Sequence, residues 1–67
     1  MTVIKSKNKE ELSKVAAILV LSPIRFSYEL DERRLILEDG KPYMVYVDLL
    51  TKGFDVDLTY PETIILL

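Results

Sequence analysis

The chain has 67 residues, 49% of them hydrophobic, with two glycines, three prolines and neither cysteine nor histidine. This excludes a disordered chain, a disulfide scaffold, the common zinc-ligand sets and every Ser-His-Asp or Cys-His catalytic arrangement. Nine basic residues against eleven acidic ones give a net charge of −2, without the basic excess of a typical nucleic-acid binder.

A chain of this size buries only about 60% of the surface its unfolded form exposes. Small domains therefore lean on disulfides, a metal or oligomerisation, and here oligomerisation is the aid the composition leaves open. The longest apolar run, Val15 to Leu21, is far short of the ~20 residues that span a bilayer. The N-terminal stretch lacks a signal-peptide pattern. The expectation is one domain over residues 1–67, cytoplasmic and off the membrane.

Thr2 to Lys5 favours β structure, as a first strand or a frayed end. Asn8 followed by Lys9-Glu10-Glu11 is a helix start. Asn8 caps, Glu11 stands at the capping-box position, and both glutamates suit the positive pole of the helix. The helix runs to about Leu21, with Leu12, Val15, Ala16 and Leu19 as its apolar stripe. Ser22-Pro23 stops it, because the residue before proline disfavours the α region.

From Ile24 the period becomes two. Phe26, Tyr28 and Leu30 alternate with Arg25, Ser27 and Glu29, a first long strand. Asp31-Glu32 reads as a tight turn and Arg33 to Glu38 as the next strand. Asp39-Gly40 is a hairpin signal, since a type I′ turn needs positive φ at both central residues. Lys41 to Leu50 then reads as a third strand, Thr51-Lys52-Gly53 as a turn, and Phe54 to Tyr60 as a fourth strand ended by Pro61. Ile64 to Leu67 is apolar throughout.

The turns set the register. They place Glu29 opposite Arg34, Tyr28 opposite Leu35, Ile36 opposite Tyr43 and Leu35 opposite Met44. One face then collects Phe26, Tyr28, Leu30, Leu35, Leu37, Met44, Tyr46, Val56, Leu58 and Tyr60, and the helix lies on it. The predicted fold is α+β: one N-terminal helix packed on one face of an antiparallel meander sheet of three to four strands, with Thr2 to Lys5 as a short extension.

The other face mixes charged residues with Ile36, Tyr43, Val45, Val47 and Leu49. A strand apolar on both faces needs a second cover, and one helix supplies only one. The candidate covers are a second copy of the chain, another protein, or the segments Val3-Ile4 and Ile64 to Leu67. The function this predicts is a non-enzymatic interaction or regulatory module, a homodimer or a binder of another protein, with Ile36, Tyr43, Val45, Val47 and Leu49 at the partner-binding surface.

The alternative is a nucleic-acid accessory protein using Arg25, Arg34 and Lys41 beside Tyr43 on the sheet face. Interleaved Glu29 and Glu38 offset those charges. Asp55 and Asp57 share a strand face but lack a third convergent ligand, so they read as a solvated, edge-protecting pair rather than a metal site. Glycine stands only at 40 and 53, too sparse for a phosphate cradle. No catalytic residue, metal ligand or cofactor is assigned.

Overall fold

The computed structural model describes residues 2–29, 31–38, 41–59 and 62–67. Among them the chain runs β1 (Thr2–Ser6), α1 (Lys9–Val20), β2 (Phe26–Glu29), β3 (Arg34–Leu37), α2 (Pro42–Thr51), β4 (Val56–Thr59) and β5 (Thr63–Leu66). The strands form one sheet in the order β2-β3-β1-β5-β4. All neighbours are antiparallel except β1 and β5, which are parallel. The first half is a split β–α–β unit, with β3 lying between β1 and β2.

α1 forms as its sequence dictates. The Asn8 side chain accepts the Glu10 N–H at 2.9 Å. The Asn8 N–H, however, is taken by Ser6 Oγ at 3.0 Å rather than by Glu11. Glu11 pairs instead with Lys14. Leu12, Val15, Ala16 and Leu19 are buried, and α1 lies on β1 and β3.

The β2–β3 hairpin keeps the predicted register, with Tyr28 opposite Leu35 and Glu29 opposite Arg34. Arg33 takes a left-handed conformation at the end of its turn. The core gathers Ile4, Leu35, Leu37, Val56, Ile64 and Leu66 from the sheet beneath α1 and α2.

Two expectations are overturned. Lys41 to Leu50 is not a third strand but the N-cap and body of α2. Pro42 occupies the first turn, where its missing N–H costs nothing. Pro42, Val45, Tyr46 and Leu49 recur at the spacing of one helix face, and Val45 and Leu49 are buried. A Schellman motif ends the helix: Gly53 N–H donates to Leu50 O and Phe54 N–H to Leu49 O, both at 3.0 Å. Gly53, at φ +92°, supplies the left-handed residue the motif needs. At period two the apolar residues of this run fall on both faces of a strand; at helical period Val45 and Leu49 share the buried side.

The sheet is therefore mixed and five-stranded, not an antiparallel meander. The two terminal segments do not fold over it. They are its centre, with Ile4 beside Ile64 and Lys5 beside Ile65. The predicted Asp39-Gly40 hairpin lies outside the described residues, as do Leu30, Tyr60 and Pro61.

Candidate functional site

With both helices on one side, the other side of the sheet is open. Pairing fixes its occupants: Ser27, Ile36, Val3, Thr63 and Thr59 in one row, and Glu29, Arg34, Lys5, Ile65 and Asp57 in the next. Val3, Ile36 and Ile65 are only half-buried, a short apolar band ringed by polar side chains. The Arg34 guanidinium bonds the Glu29 carboxylate across the hairpin. That hydrogen bond, and then the carboxylate charge, hold Arg34 above the usual arginine range.

The helix side presents a different surface. α2 leaves Tyr43 67%, Met44 63%, Val47 41% and Leu50 44% exposed. Asp48 is its one charged residue, and it accepts from Lys52 Nζ at 2.6 Å. A cleft of about 500 Å³ runs between the end of α1 and α2, lined by Ile18, Leu19, Ile24, Met44, Val45 and Val47 with Asp48 and Thr51 at hand. The Tyr43 and Tyr46 rings stand 6.4 Å apart, tilted by 46°. That separation lies within the range of interacting aromatic rings.

A second hollow, about 650 Å³, lies at the carboxyl ends of the parallel strands β1 and β5. It mixes Lys5, Lys7 and Arg33 with Glu32, Ile65 and Leu66. Its Arg33 side chain is committed to Lys7 O and its Asn8 to the cap of α1.

The five residues expected at one partner surface are thus divided. Ile36 alone stands on the open sheet face. Val45 and Leu49 are core. Tyr43 and Val47 are exposed, but on α2, across the sheet from Ile36. The basic trio is divided as well. Arg25 continues the β2–β3 ladder through its carbonyl to Glu38 N–H. Arg34 is engaged by Glu29, and Lys41 sits at the N-cap of α2. They do not make one platform with Tyr43.

Sequence reading missed Met44, assigned to the core, and Leu50, taken as a strand end. The signal was there at helical period. Tyr43, Val47 and Leu50 form an outer stripe opposite Val45 and Leu49.

Comparison of the chain with protein-family models, with curated proteins and with solved structures returns no match. Among the described residues no helix is long and apolar enough to cross a membrane.

Proposed function

We propose that this chain is a small, non-enzymatic protein-interaction module whose docking element is the outer side of α2. One observation carries the reading. A helix on the surface of a soluble domain is polar on its outer side, and a helix apolar all round is a covered one. α2 is apolar on its outer side as well, broken only by Asp48 and Thr51, yet among the described residues Tyr43, Met44, Val47 and Leu50 stay exposed. Contiguous apolar surface of this kind marks an interaction site.

The test works without a named partner. Wild-type chain and a Met44→Glu variant are immobilised side by side. Each is offered free wild-type chain and a cell extract of the source. Proteins held by the wild type and lost by the variant support the reading, provided both baits give the same circular dichroism spectrum. Identical retention on the two baits sinks it.

A further inference from the structure

Independently of α2, we infer that the free edge of β2 joins two copies of the chain. Their β2 strands pair antiparallel about a two-fold axis at Ser27 and carry the sheet across both copies.

The backbone opens this edge. β2 and β4 are the outermost strands of the sheet. Glu38 N–H donates to Arg25 O at 2.9 Å, so Arg25 and Glu38 form a hydrogen-bonded pair of the ladder. Such pairs alternate along antiparallel strands. Ser27 and Glu29 therefore also turn their N–H and C=O groups to β3. Phe26 and Tyr28 turn theirs away, to the open edge. A row of unpaired backbone donors and acceptors is a template for another strand.

Charge selects which strand fills it. With the axis at Ser27, Phe26 of each copy meets Tyr28 of the other in a hydrogen-bonded pair. Every outward backbone group of both residues is then satisfied. Arg25 falls opposite Glu29 of the other copy in a non-hydrogen-bonded pair, where facing side chains come closest. The contact is made twice, as a self-complementary interface requires. Among the described residues the Arg25 side chain has no ion-pair partner in its own copy. Arg34 holds Glu29 through Oε1, which leaves Oε2 to accept from the Arg25 of the other copy.

The opposite edge of the sheet is built against such pairing. Leu67 N–H donates to Asp55 O at 2.9 Å, so Val56 and Leu58 carry the outward groups of β4. Self-pairing in the same manner sets Asp57 directly against Asp57 of the other copy, and like charges so opposed destabilise a sheet. Pairing β2 with β4 in the equivalent antiparallel register sets Glu29 against Asp55. Charge therefore favours a closed pair through β2 over an open-ended chain of sheets. β2 has four residues, Phe26–Glu29, so the seam is short and the association weak.

Amide exchange of the full chain, read residue by residue across a concentration series, tests the edge directly. As light scattering rises towards the mass of two copies, exchange slows at Phe26 and Tyr28 and not at Val56 and Leu58. Arg25→Glu weakens association by about tenfold, because two attractive cross-strand pairs become repulsive. The chain has no cysteine, so Ser27→Cys places a single thiol at the axis. Under mild oxidation it cross-links about tenfold faster than Asp57→Cys, since directly facing Cβ atoms are within disulfide reach. Met44→Glu changes none of these results, because α2 takes no part in the seam.

A chain that stays monomeric at every concentration overturns the pairing. So does a dimer in which Phe26 and Tyr28 exchange as fast as in the dilute chain; if Met44→Glu abolishes that dimer, its seam is α2 instead. Slowed exchange at β2 in a dimer indifferent to Arg25→Glu overturns the register about Ser27.

Discussion

The two helices lie side by side on the same sheet and are built on opposite plans. α1 buries Leu12, Val15, Ala16 and Leu19 and turns Lys9, Glu10, Ser13 and Lys14 to water. Its N-terminus is capped by Asn8, with two acids in the first turn. α2 buries Val45 and Leu49 and turns Tyr43, Met44, Val47 and Leu50 to water. It has neither a side-chain cap nor an acid in its first turn. The first helix is polar on its outer side over its first turns and apolar to water only at its end, at Val20 and the C-cap Leu21. The second is a helix with both sides made for packing and only one side packed. Tertiary packing, not propensity, holds most helices in place, and for α2 that packing is on the sheet side, through Val45 and Leu49.

The largest test of this contrast sets two neighbours against each other. Leu49 is 1% exposed and Leu50 is 44%. Leu49→Ala opens a cavity and destabilises the fold by about 3 kcal/mol, a large part of what a domain this small has. Leu50→Ala costs the monomer under about 0.5 kcal/mol. Urea unfolding at low protein concentration separates the two. Equal losses would mean that α2 has no outer side.

The helix starts give the next test. Asn8→Ala removes the side-chain acceptor for Glu10 N–H and costs about 1 kcal/mol. Lys41→Asn supplies a cap where none exists and stabilises the isolated chain by about 0.5 kcal/mol. Thermal midpoints moving in opposite directions confirm that the two ends differ as described.

The end of α2 comes third. A Cβ at Gly53 meets nothing within 4 Å, so Gly53→Ala is opposed by the left-handed backbone alone. It lowers stability by about 1 kcal/mol, and Gly53→Asn by less, because asparagine tolerates that region.

The smallest effect belongs to the Glu29–Arg34 pair, which is half-exposed and screened by salt. Its pH behaviour follows from the direction of the arginine shift. A folded-state pKa raised above its unfolded value stabilises fully below the unfolded value. That contribution is lost only as the pH rises through the folded one. For arginine this window is strongly alkaline, so the shift contributes no pH dependence near neutrality. Arg34→Met therefore leaves the slope of stability against pH near neutrality unchanged while lowering the thermal midpoint slightly at low salt.

Much of this protein is written locally. Asn8 through Ser22 carries its own cap, stripe and stop, and the helix forms where those signals stand. Phe26 through Leu37 carries a period of two and a short turn, which suffice to set Tyr28 against Leu35 and Glu29 against Arg34. Both depend on contacts a few residues apart. Lys41 to Leu50 was not legible in the same way. Tyrosine and valine favour strands, and a short apolar run fits a buried strand or a buried helix equally well. Pro42 and Gly53 were the punctuation of a helix, yet they also suited a strand's ends.

The pairing of Ile4 with Ile64 was beyond any local signal. A parallel pair between the two ends of the chain is held by hydrogen bonds and packing across nearly its whole length. Only the assembled sheet decides it, and with it that the terminal segments form the centre rather than a cover. The sequence by itself determined α1, the β2–β3 register and which chemistries the chain lacks. Tertiary structure decided that Val45 and Leu49 face the sheet and that Tyr43, Val47 and Leu50 face out, because only the position of β4 and β5 beneath α2 tells an apolar helix which of its sides is the core.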